Sequence, residues 1–87
     1  MQSEMITVAA SAIGLNAEKA LASKKAFISC ETAQIRFCYC GQNPTAGFGH
    51  LMNPGDVVML EGKAVQRFKA IRTGSTSGVL MVTYEGM

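Results

Sequence analysis

Between Lys24 and Tyr84, apolar and polar residues alternate in short runs, each closed by a turn signal. The clearest runs are Ala26–Glu31, Gln34–Cys40, Asp56–Glu61, Gln66–Arg72 and Gly78–Tyr84. A period of two sends successive side chains to opposite faces of a strand. It sets Ile35, Phe37 and Tyr39 against Arg36, Cys38 and Cys40, and Leu80, Val82 and Tyr84 against Val79, Met81 and Thr83. Met5–Ala9, with β-branched Ile6, Thr7 and Val8, reads as a first strand, and His50–Met52 as a further short one. Val57–Leu60 is almost continuously apolar, which predicts a buried strand.

The punctuation between the runs is equally regular. Asn53-Pro54-Gly55-Asp56 is a turn, because proline presets one central position and glycine accepts positive φ at the next. Thr32-Ala33 links two adjacent runs so briefly that Ala26–Glu31 and Gln34–Cys40 are predicted to form a hairpin. Gly41–Gly49 is a loop by composition. Asn16 is placed to cap either a short helix over Ala17–Ala22 or a loop with one helical turn, with Leu21 as its anchor to the core. No strand–helix alternation supports a parallel sheet. The prediction is one all-β domain over residues 1–87: a small antiparallel β-sandwich, jelly-roll-like, of about seven or eight short strands. Residues 1–25 are expected as an N-terminal arm or edge strand.

Composition bears on partners. A chain of 87 residues buries only about 60% of its unfolded surface, so its core is thin. Only 16% of residues are charged against 48% apolar, a surface poor in charge that favours assembly with other chains or with itself. The net charge of +2 is too small to argue for direct nucleic-acid or membrane partners. The start of the chain carries no signal-peptide pattern, so synthesis in a cytoplasm is expected. Cys30, Cys38 and Cys40 then read as reduced thiols.

Chemistry-bearing side chains do not assemble into a site. Cys30, Cys38, Cys40 and His50 supply the residue types of a Cys₃His zinc site, but Cys-x-Cys on a strand fits a structural knuckle poorly. The Pro54-Gly55-Asp56 turn after His50 resembles a turn of the cupins, which are jelly-roll proteins. Cupin metal sites need a His-x-His pair, and this chain has one histidine. A cysteine nucleophile needs a base and an orienting group, and no base is placed beside one. Glu31, Asp56, Glu61 and Glu85 are scattered at strand ends. Arg36, Phe37 and Tyr39, with Arg67, Phe68, Lys69 and Arg72, interleave aromatic and basic residues as single-strand nucleic-acid binders do, but Ile35 shares the aromatic face, which reads as core. The expectation is no enzyme, no cofactor and no metal.

One resemblance narrows the role. Ala26–Phe37, Asn43-Pro44-Thr45, Gly49-His50-Leu51, Pro54-Gly55-Asp56, Phe68–Arg72 and Leu80–Tyr84 together resemble a pattern of small virion proteins of tailed bacteriophages, of the head-decoration or cement type. It covers about two-thirds of the chain, from Ala26 onward. The resemblance implies a β-sandwich or jelly-roll core, a virion (capsid) location and a non-enzymatic role binding the major capsid protein and stabilising the head. Cement proteins close symmetrically over capsid junctions, so a homo-oligomer is expected. Alternatives are a head–tail or tail accessory protein, a cupin-like small-molecule binder and a single-strand nucleic-acid binder. Ile6, Val8, Phe48 and His50 are the candidate interface residues: the first two because a terminal strand can add to a neighbour, Phe48 because a lone aromatic among glycines is either a core plug or an interface anchor.

Overall fold

In the computed structural model, which describes residues 2–86, the chain doubles back on itself as one long antiparallel ribbon. Its elements are β1 (Gln2–Val8), β2 (Ile13–Gly14), α1 (Ala17–Ala22), β3 (Lys25–Cys30), β4 (Ile35–Cys38), β5 (His50–Met52), β6 (Val57–Glu61), α2 (Lys63–Arg67), β7 (Lys69–Arg72) and β8 (Gly78–Glu85). The first strand pairs with the last, β2 with β7, β3 with β6 and β4 with β5. Two further antiparallel pairs, β3 with β8 and β4 with β7, roll the ribbon into two four-stranded sheets. Sheet A has the order β1-β8-β3-β6 and sheet B the order β2-β7-β4-β5. This is a jelly-roll sandwich, as the strand pattern predicts.

The core lies between the sheets. Leu80, Val82 and Tyr84 of β8 are fully buried, as their shared face requires. Ile28 and Leu60 join them from sheet A; Ile35, Phe37 and Met52 face them from sheet B. Phe68, Ala20 of α1 and Val65 of α2 complete the cluster. Gly78 starts the buried face of β8, and a Cβ there would meet Ile35 Cγ2 at 2.6 Å and Ala33 O at 2.9 Å. Among the described residues, no helix is long and apolar enough to cross a membrane.

Four local expectations need correction. β3 and β4 do not form a hairpin; they belong to different sheets. Thr32-Ala33 is a corner instead, where Thr32 Oγ1 donates to Ser77 O (3.4 Å) and accepts from Val79 N–H (3.0 Å). Val57–Leu60 is an edge strand whose Val57 and Met59 are exposed, not a buried one. Asn16 does cap α1, its Oδ1 accepting from Lys19 N–H at 3.1 Å, but Ala20 anchors the helix and Leu21 is exposed. Gln66 and Arg67 end the single-turn helix α2, so the strand begins at Lys69.

Candidate functional site

The two sheets differ on their outer faces. On sheet A, strand register aligns Ser3, Thr83, Phe27 and Met59 in one row across the four strands. The next row is Met5, Met81, Ser29 and Val57, and Thr7 pairs with Val79 beyond it. These rows hold no charged side chain. Met5 is 66% exposed, Val57 57%, Met59 45% and Phe27 39%, so large apolar groups stand in water. Charge is confined to the ends. Glu85, Lys25 and Glu61 form the row at one end. Glu31, bound by Ser29 Oγ at 3.0 Å, sits at the other. With strands about 4.8 Å apart and about 3.3 Å per residue, the face covers on the order of 400 Å². An apolar patch of that size with a polar rim is a common mark of an interaction site.

Sheet B shows that a bare outer face is not imposed by the small size of the domain. The loop between β4 and β5 folds back over it. Arg36, on the outer face of β4, donates from Nε to Ala46 O (3.0 Å) and from Nη1 to Gly49 O (2.8 Å). Pro44 is buried beneath the loop. Gly49 has φ +131°, and a Cβ there would lie 3.1 Å from Phe37 O and 3.2 Å from Pro44 Cβ, so only glycine permits this close approach. The covering loop also explains why Cys38 is buried although alternation points it outward. At the tip, Thr45 and Phe48 exchange backbone hydrogen bonds (2.9 and 3.2 Å), presenting Phe48 half-exposed.

Below that tip the rings form a stack. Tyr39 and His50 lie 5.6 Å apart with an interplanar angle of 21°, and Phe37 sits 5.4 Å from His50. A cleft of about 540 Å³ opens between the loop and sheet B, lined by Arg36, Cys38, Tyr39, Phe48 and His50. All three cysteines are free; Cys30 and Cys38 are buried and Cys40 is exposed. Burial raises the thiol pKa of both Cys30 and Cys38. Among the described residues, no three His, Cys, Asp or Glu side chains gather closely enough to share a metal ion.

The open edge of β1 has a definite hydrogen-bonding pattern. Cys30 N–H donates to Asp56 O (3.0 Å) and Cys30 O accepts from Gly55 N–H (2.8 Å), so even-numbered residues of β3 face β6. Glu31 N–H donates to Val79 O (2.8 Å), so odd-numbered residues of β8 face β3. Alternation turns Gly78, Leu80, Val82 and Tyr84 toward β1, where their partners are Val8, Ile6, Glu4 and Gln2. The N–H and C=O groups of Ser3, Met5 and Thr7 therefore point away from β8, to the side where β1 has no neighbouring strand among the described residues. Ala9 O, next in that series, accepts from Arg72 N–H at 3.0 Å, which agrees with the assignment.

Of the candidate interface residues, Phe48 and His50 lie together at the mouth of the cleft. Ile6 and Val8 are buried in the core, and their backbone groups are engaged with β8. Their strand does occupy a sheet edge, but its outward positions are Ser3, Met5 and Thr7. Phe27, Val57 and Met59, the apolar groups of the bare face, were not among the residues singled out from sequence. They fall at odd positions of β3 and β6, but a period of two does not say which face is covered. Comparison with protein-family models, curated proteins and solved structures finds no match to this chain.

Proposed function

We propose that this domain is a non-enzymatic structural protein of a bacteriophage virion, a capsid decoration (cement) protein that binds the major capsid protein, stabilises the head and associates with itself. The observation that carries the reading is the outer face of sheet A, where Met5, Phe27, Val57 and Met59 stand exposed without a charge among them. Such a face gains about 25 cal/mol for each Å² of apolar surface it loses to a partner. The polar rim at Lys25, Glu61, Glu85 and Glu31 fits the usual division of an interface into apolar centre and polar edge. The jelly roll suits the role because it is rigid without cofactor or metal, and it recurs in viral capsid domains. Fold alone does not assign function, so the sequence resemblance and the bare face bear the weight.

The test is co-sedimentation of the purified domain with head shells of the phage that encodes it. Binding to wild-type shells is expected, with loss when Phe27→Asp and Met59→Asp place carboxylates on the face. A folded double variant that binds as well as the wild type removes the face from the reading. A head–tail or tail accessory protein uses the same face, and labelled particles seen by electron microscopy separate the two positions.

A second reading, a cupin-like small-molecule binder, is favoured by the cleft beside the Tyr39–His50 stack, whose volume of about 540 Å³ suits a small ligand. Ligand-detected NMR with aromatic fragments tests it, and the absence of binding at millimolar concentration argues against it.

A further inference from the structure

The edge of sheet A that ends in β1 is unguarded. Natural edges are blunted by lysine, proline, a bulge or short length. β1 is seven residues long, pairs with β8 in unbroken register, and contains no lysine, arginine or proline. Its one acidic residue, Glu4, turns inward, where its carboxylate accepts from Tyr84 Oη at 2.6 Å and lies 4.0 Å from Lys19 Nζ. The other edges are less available. β2 has two residues, and β5 has three and runs into Pro54. β6 ends on Glu61 and leaves through Gly62 into α2.

We infer that β1 pairs antiparallel with β1 of a second copy, around a two-fold axis at Met5, to form one continuous eight-stranded sheet. The free backbone groups are self-complementary in this register. Met5 faces Met5 of the second copy, and Ser3 and Thr7 face Thr7 and Ser3 of the second copy. Each of these three pairs exchanges two main-chain hydrogen bonds, about six in all, against about ten in an interface of ordinary size. Side chains agree with the backbone. Ser–Thr pairs and a Met–Met pair meet on the outer face, where like charges would have repelled. The two bare apolar faces then become one surface of twice the area. The inference rests on the proposed reading only in its requirement for self-association, and purified protein tests it without any particle.

Sedimentation equilibrium of the full chain is expected to give two copies. Met5→Pro removes an N–H that points to the open edge and leaves the β1–β8 ladder intact, a position where proline is tolerated. That variant is expected to be a monomer with native amide protection at Ile6 and Leu80. Should it fail to fold, amide exchange of the wild type decides. The Met5 amide slows by about tenfold or more as protein concentration rises through the association range. A monomer throughout, trimers or larger rings (which a two-fold β1–β1 contact cannot form), or a Met5 amide unprotected in the dimer would overturn the inference. So would a folded Met5→Pro variant that still dimerises.

Discussion

Tyr84 Oη donates a 2.6 Å hydrogen bond to Glu4 Oε2 from a fully buried ring, joining the last strand to the first across the core-facing side of sheet A. The same oxygen accepts from Asn16 N–H at 3.3 Å, so one hydroxyl also ties down the start of α1. Tyr84→Phe removes both bonds and leaves Glu4 with the Lys19 ammonium at 4.0 Å. The expected loss is about 1–3 kcal/mol, read from chemical denaturation.

That bond also has a pH signature. Burial, reinforced by the Glu4 carboxylate, raises the Tyr84 hydroxyl well above the ordinary tyrosine value. A group with a raised folded-state pKa stabilises fully below its unfolded value, about pH 10, and that stabilisation is lost as pH climbs beyond it. The stability gap between wild type and Tyr84→Phe is therefore constant from pH 7 to 9 and narrows above about pH 10. Denaturation curves at several alkaline pH values measure it.

Gly78→Ala overfills the corner between the sheets. Part of the clash is with Ala33 backbone, which cannot swing aside as a flexible side chain would. A cost of about 1–3 kcal/mol is expected, seen as a lowered denaturation midpoint with unchanged slope.

Thiol labelling distinguishes the three cysteines. In native protein, Cys40 alone reacts rapidly with a thiol reagent; Cys30 and Cys38 are buried, and burial keeps their thiols protonated. In denaturant all three react. Rapid native labelling of Cys38 would show that the loop does not cover sheet B. Arg36→Lys loosens that cover, because an ammonium does not reproduce the guanidinium's fork to Ala46 O and Gly49 O. Limited proteolysis is expected to cut between Gly41 and Gly49 faster in that variant.

The sequence was legible where local pattern and global fold agree. The alternation in Leu80, Val82 and Tyr84 named the buried face of β8, and Asn16 named its cap, because both depend on near neighbours. Strand partnership depends on distant ones. Thr32-Ala33 looks like a hairpin link because nothing local distinguishes a tight turn from a corner between sheets. The run Val57–Leu60 reads as buried because apolarity reports a preference to leave water, not whether the fold covers the residue. Ile6 and Val8 are candidates because a terminal strand can add to a neighbour, but in the fold they serve the core while Met5 and Thr7 beside them stay outside. The single-turn α2 carries too few residues for a helical period to show.

The proposed role as a capsid decoration protein is tested most directly by quantitative mass spectrometry of virus particles purified from the source that encodes this chain. A capsid decoration protein is expected in the particles at many copies, in fixed ratio to the major capsid protein. It should be lost from them when Phe27→Asp and Met59→Asp charge the bare face of sheet A. Its absence from particles that otherwise carry their full set of structural proteins would contradict the account.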